Sequence, residues 1–223
     1  MKVHIGVNAR TIYGNDTSVF WAFRLAMIQK SIEGVTAVTY TASQKRPIYA
    51  GRNDIVRNFM EEKSDVLVLL DTDTIPPSDI LVKLLPHLKE YGVASGLYME
   101  NTGTYLPVAY SEQQDHPDGF PIWQRLQKWE GELIEVAGVG LGCCAIKKEV
   151  FEKLKHPYFD WEFDETKGYK RPREKGHLSI GEDLYFCRKV KDAGFKIAVD
   201  TSCLCDHIGV NVPISSPKTR SKS

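Results

Sequence analysis

The sequence lacks any long apolar run. Its longest stretch of consecutive aliphatic residues is 66–70, against the roughly 20 residues that a membrane-crossing helix needs, so no membrane span is expected. It also lacks a CxxC pair and the usual zinc-ligand spacings among its five cysteines, Cys143, Cys144, Cys187, Cys203 and Cys205, which argues against structural zinc. These read as reduced thiols packed as small hydrophobes in a cytoplasmic protein. There is no excess of charge: 29 Lys plus Arg balance 29 Asp plus Glu, and nothing advertises nucleic acid or an anionic membrane as a partner. The opening, "MKVHIGVNAR", has its apolar residues interrupted by His4, Gly6 and Asn8. It reads as neither signal peptide nor anchor, and the mature chain is expected to begin at Met1. There is no internal repeat, and nothing in the sequence speaks to oligomeric state.

What is present suits one α/β domain. A chain of 223 residues with 42% hydrophobic content is long enough for one sizeable core. Val3, Ile5 and Val7 alternate with other residues as in a strand that ends at Asn8, Ala9 and Arg10. Ser18 is placed to cap a helix carrying Phe20, Phe23, Leu25 and Met27. The β-branched segment 35–41 predicts a second strand, and Ile55, Val56, Phe59 and Met60 fall at helical spacing. The aliphatic run 66–70 predicts a strand covered on both faces. This βαβαβ alternation argues for a parallel sheet with helices on its faces. Beyond it the spacing predicts a helix capped by Ser78 and ending near Gly92, then a strand around "VASGLY". The stretch "ELIEVAGVGLGCCAIKKEVFEKL" reads as strand, glycine turn, strand and helix, and a helix over 181–194 feeds a strand over 195–200. The charged loop 167–175, with Lys167, Lys170, Arg171, Arg173 and Lys175, is a candidate lid over an anionic ligand. The segment from Pro213 has the composition of a flexible tail.

The segment "DVLVLLDTDTIPP" carries the chemistry. Fourteen Asp in 223 residues supply about one DxD by chance, so the motif alone means little. Its position matters more: Asp71, Thr72 and Asp73 close the most strand-like apolar run, and ligands of open α/β sheets bind beyond the carboxyl ends of strands. In an extended chain Asp71 and Asp73 point the same way, two hard oxygen ligands for Mg²⁺ or Mn²⁺, which completes its shell with water and phosphate oxygens. Two chemistries use this arrangement. One is transfer from a sugar nucleotide, and the other is phosphoester hydrolysis of the haloacid-dehalogenase type, whose motif also follows an apolar strand. Against the hydrolase, residue 75 is Ile, the motif follows about seventy residues of β/α pattern, and no later pair of adjacent aspartates appears.

Three further stretches favour the first. "GRN" (Gly51, Arg52, Asn53), the DxD, "GED" (Gly181, Glu182, Asp183) at a helix start and "DHIG" (Asp206, His207, Ile208, Gly209) occur in the order seen in small glycosyltransferases of the GT-A fold. The chain resembles that superfamily, near the family-two-like members of phages, viruses and prokaryotes, over about residues 1–210. The resemblance implies a single GT-A domain with a mixed, mostly parallel central sheet. Its nucleotide-binding half would span 1–100, its acceptor half 101–210, with a tail over 211–223. It implies a metal-dependent glycosyltransferase of hexosyltransferase type, moving a sugar from a nucleoside diphosphate, with UDP expected, to a hydroxyl of a glycan or glycoprotein. Asn8, Ala9, Arg10, Arg52, Asp71, Thr72 and Asp73 would contact the nucleotide and its diphosphate, with Asp71, Asp73 and His207 holding Mn²⁺ or Mg²⁺. Asp183 would be the general base of an inverting reaction and Glu182 a contact to the acceptor. Retaining enzymes of the fold carry similar acids, and in that case Asp183 would position the acceptor. The chain departs from the family at one point: "TASQKR" stands where family-two members commonly carry an aspartate that reads the uracil.

Each residue also has a reading of its own. The planar fork of Arg52 suits a phosphate or a base carbonyl. Two carboxylates in a first helical turn favour the helix dipole and its unpaired N–H groups, so capping alone would account for Glu182 and Asp183. The glycines of "GVGLG" (Gly138, Gly140, Gly142) allow close backbone approach. Trp123, Trp129 and Trp161 are candidates for stacking on a sugar, with core packing the competing use.

Overall fold

The computed structural model describes residues 1–8, 24, 32–43, 47–100, 105–115, 121–129, 131, 133–161, 180–208 and 213–214. Of the helix expected after Ser18, only Arg24 is among them, and the expected lid 167–175 lies outside them.

The chain runs through strands β1 (Lys2–Asn8) and β2 (Ala37–Ser43), helix α1 (Ile48–Glu61), then β3 (Val66–Asp71) and the short β4 (Thr74–Ile75). Helix α2 (Ile80–Leu84) passes into a 3₁₀ turn, Leu85–Lys89. The single long helix expected here is interrupted because Pro86 has no N–H to donate within a helix. Ser78 does not cap it: Asp79 stands at the N-cap, with no side-chain hydrogen bond. Then come β5 (Val93–Leu97), β6 (Ala109–Asp115), β7 (Pro121–Arg125), β8 (Leu133–Val136), β9 (Gly138–Val139) and β10 (Cys143–Lys147). The described chain closes with α3 (Lys148–Lys153), α4 (Glu182–Asp192), β11 (Ile197–Leu204), β12 (Asp206–Ile208) and β13 (Pro213–Ile214).

Seven strands make the central sheet, in the order β2-β1-β3-β10-β5-β11-β8. Only β10 and β8 run against the rest, so the sheet is mixed and mostly parallel, as expected. Strand β3 lies near its middle, and its pleat explains the unbroken aliphatic run. Leu67 and Leu69 enter one apolar cluster with Ile55 and Phe59 of α1, Phe151 of α3 and Phe186 of α4. Val66, Val68 and Leu70 enter the opposite cluster with Val3, Ile5, Leu81 and Leu84. Both faces are buried, as period-two alternation through a covered sheet requires.

Two small three-stranded sheets complete the described fold: β13-β12-β4, and β7-β6-β9. Pro213 and Ile214, assigned to the tail by composition, instead pair with Ile208 and His207. The register of β12 on β4 places His207 opposite Thr74, one residue past Asp73. No described helix is long and apolar enough to cross a membrane.

Candidate active site

The site is built at the carboxyl ends of the central strands. Asn8, the last residue of β1, is in register with Asp71, the last of β3. The extended path stops there, since Thr72 and Asp73 form a turn between β3 and β4. The two aspartates therefore do not follow strand alternation. Asp71 meets Arg52, while Asp73 meets His207.

Arg52 is the centre of the arrangement. It projects from the buried face of α1, alongside Ile55, Val56 and Phe59, and its side chain is only 1% exposed. One terminal nitrogen, Nη2, donates to Asp71 at 3.0 Å to Oδ2 and 3.3 Å to Oδ1. The other, Nη1, donates to Glu182 Oε1 at 3.0 Å and also to Asp183 Oδ1. A buried guanidinium needs such partners, since an unpaired buried charge is costly. Its flanking carboxylates hold the Arg52 pKa well above its usual value against the opposing effect of burial.

Gly181 is the N-cap of α4, so Glu182 and Asp183 open its first turn, where the dipole favours negative charge. They also face Arg52 across 130 residues of sequence, which capping does not explain. Burial pushes the Asp183 carboxyl up to about 7; Arg52 opposes the shift, and the Glu182 and Asp71 charges add to it. A carboxyl near 7 is matched to proton transfer at neutral pH.

On the other side, His207 Nδ1 lies 2.6 Å from the Met99 carbonyl. A carbonyl can only accept, so Nδ1 carries the proton. In the neutral ring this leaves a lone pair on Nε2, which lies 3.7 Å from Asp73 Oδ2. Metal-binding histidines are held in this way, by a carbonyl on the remote ring nitrogen. Adjacent ligands of an octahedral ion, each about 2.1 Å from it, stand about 3.0 Å apart, so binding one would draw Asp73 and His207 closer together than they are here. Among the described residues no three His, Cys, Asp or Glu side chains converge to hold a metal by themselves. The expected trio of Asp71, Asp73 and His207 is therefore not assembled here.

Tyr98, at the end of β5, was not singled out by sequence reasoning. Its hydroxyl accepts the Gly142 N–H at 3.0 Å, and its ring packs edge-on against His207. Burial raises its pKa well above the usual tyrosine value, with the Asp183 and Asp71 charges adding, so the hydroxyl keeps its proton. A side chain at Gly142 would press on Thr74 Oγ1 at 2.8 Å, the Tyr98 hydroxyl at 3.0 Å and Asp71 Oδ2 at 3.2 Å. The glycine cluster thus makes room for site side chains.

Three buried polar atoms around Asp71 have no hydrogen-bond partner among the described residues: Asn8 Oδ1, Arg52 Nε and Thr74 Oγ1. Buried polar groups are rarely left so, except where a ligand or water supplies the partner. Beside Asp183 lies a cavity of about 230 Å³, lined by Val108, Tyr110, Val139, Gly140, Glu182 and Leu184 among others. Trp123 packs against Gly138 and Tyr110, and Trp129 packs against the main apolar cluster. Ala9 and Arg10 lie outside the described residues, and Thr72 is buried in the acid turn.

No family model matches the chain, and no curated protein matches its sequence. Solved structures do. The chain is similar to A197 from STIV over 100% of its length and 98% of that chain, with 20% identity and a TM-score of 0.61. It is also similar to a mutant Drosophila β1,4-galactosyltransferase 7, solved in complex with manganese, UDP-Gal and xylobiose, at 13% identity and a TM-score of 0.50. That match covers 98% of this chain and 68% of that one. At these identities the likeness speaks to architecture, and the chain has the GT-A fold.

Proposed function

We propose that this chain is a metal-dependent glycosyltransferase that moves a sugar from a nucleoside diphosphate, UDP being the expected nucleotide, to a hydroxyl of a glycan or glycoprotein. The observation that carries the reading is the charge at the strand ends. Three carboxylates, Asp71, Glu182 and Asp183, face one fixed cation, Arg52, and a fourth, Asp73, lies 3.7 Å from His207. A diphosphate would be repelled from such a crevice unless a further cation accompanied it. Asp73 and His207 would hold Mn²⁺ or Mg²⁺, with Asp71 close by on Arg52. Bound there, such an ion would supply Lewis-acid stabilisation of the charge developing on the leaving diphosphate. The manganese and UDP-Gal bound by the Drosophila neighbour support the choice of ion and nucleotide.

The chain's own residues do the rest. The unpartnered Asn8 Oδ1 offers an acceptor to the nucleotide at the end of β1. Arg52 fixes Asp183 relative to Asp71, so that the groups serving acceptor and donor keep one geometry. With its carboxyl near 7, Asp183 takes the proton from the acceptor hydroxyl as that oxygen attacks the sugar. Attack from the side opposite the leaving group inverts the anomeric centre. Such a base contributes about 10² to 10⁴ in rate.

The test is thermal unfolding of the wild type, Asp73→Ala and Asp183→Asn with UDP, GDP, CDP and dTDP, each with and without Mn²⁺. A ligand of the native state raises the transition by mass action. The expected result is a manganese-dependent rise with one nucleotide in the wild type and Asp183→Asn, lost in Asp73→Ala. In transfer assays Asp183→Asn should bind the donor and turn nothing over. Equal shifts in the wild type and Asp73→Ala would remove the metal assignment. No shift with any nucleotide, together with phosphate release from small phosphoesters, would replace the proposal with the phosphohydrolase.

A further inference from the structure

The five cysteines sort onto the two faces of the central sheet. Cys144 and Cys187 belong to the apolar cluster under α1, α3 and α4, while Cys143, Cys203 and Cys205 belong to the opposite one. All five are thiols, and all are 0% exposed. The three meet on the second face: Cys205 Sγ lies 3.0 Å from Cys143 Sγ and 3.8 Å from the Cys203 carbonyl.

The backbone makes this meeting possible. Cys143 opens β10, and the Cys205 N–H donates to the Leu97 carbonyl at the end of β5, so the two cysteines approach from opposite sides of β5. The β5 residue between them is Gly96. A Cβ there would stand 2.9 Å from Cys205 Sγ, 3.2 Å from Cys143 Sγ and 2.8 Å from the Cys203 carbonyl. The irregular register of β11 against β5 between Asp200 and Leu204 brings 203–205 over that gap. Any side chain at position 96 would part the sulfurs.

We propose that Cys143 and Cys205 form an intramolecular disulfide. The step balances against a small disulfide such as oxidised glutathione. The Sγ–Sγ bond forms, and Cys143 and Cys205 lose two protons and two electrons. The glutathione S–S bond breaks and takes both up as two thiols. Full burial means that exchange takes place on the opening or folding chain, and that the closed bond is shielded from reductants. The bond closes a loop of 62 residues. It ties the strand following Gly142 to the one leading into His207, the two sides of the site around Tyr98.

The experiment is refolding of the full chain in oxidised glutathione and, separately, in dithiothreitol, followed by denaturation, alkylation and mass analysis. Five alkylated cysteines are expected in dithiothreitol. Three are expected after oxidation, with a cross-linked peptide joining 143 to 205 and a transition about 5–15 °C higher. Cys144→Ala and Cys187→Ala should keep the cross-link, and Cys205→Ser should lose it. Five alkylated cysteines after oxidation, or a bond between any other pair, would overturn the proposal. The count uses the wild type, so a variant that fails to fold leaves the test intact.

Discussion

Arg52 and the carboxylates around it set the behaviour of the site one residue at a time. Replacing the guanidinium by an apolar side chain of similar length leaves Asp71, Glu182 and Asp183 facing one another without a counter-charge. Removing one partner of a buried ion pair costs about 3–5 kcal/mol. Arg52→Met is therefore expected to lose stability of that order in urea titrations at pH 8, and less at pH 5, where carboxyls can take up protons. Arg52→Lys should recover only part of it, because a point charge cannot serve three carboxylates with a planar fork. Asp183 gives a second pH signature. Its native pKa, about 7, lies above the ordinary carboxyl value of 3.8, so the folded state binds a proton more tightly than the unfolded one. That contribution is fully present below about pH 3.8 and is lost as pH rises towards and through about 7. In metal-free protein, the difference in stability between the wild type and Asp183→Asn should change across that window and be flat above it. A flat difference throughout would remove the shift.

At the scale of elements, the "GRN" stretch divides its work across α1. Arg52 faces the site, while Asn53 braces the helix against the segment after α3. The Asn53 amide donates to the Phe159 carbonyl at 2.7 Å and to Tyr49 at 2.9 Å, and its oxygen accepts from the Tyr158 and Phe159 N–H groups. Asn53→Ala would leave these partly buried backbone groups without that partner, at about 1–3 kcal/mol for a buried polar group so stranded. Loss of stability without loss of nucleotide specificity is the expected result, checked by denaturant titration beside the nucleotide series. The bracing role of Asn53 was not legible in the sequence. It depends on a segment 106 residues away. The α2 region has the same lesson in reverse: apolar spacing announced a helix, but Pro86 turned its second half into a 3₁₀ turn.

For the whole molecule, stability rests on two apolar clusters separated by one sheet, with β3 contributing to both. Leu67→Ala, at a position 0% exposed, should cost about 2–5 kcal/mol. For a chain of this size that corresponds to a fall in the transition of roughly 5–20 °C, read by calorimetry. The order of strands up to β3, the doubly covered run and the placing of acids at its end follow from periodicity and turn residues alone, because these reflect local geometry and burial. The chain by itself determined an α/β sheet with acids at the end of a central strand. Only the tertiary structure decided which groups meet there. Asp71 joins Arg52, Asp73 joins His207, Tyr98 enters the site, and three cysteines gather over Gly96. The physical reason is that hydrophobic period records which face a residue takes, whereas ion pairs and thiol contacts spanning 19 to 134 residues exist only once packing has set the strand order and register.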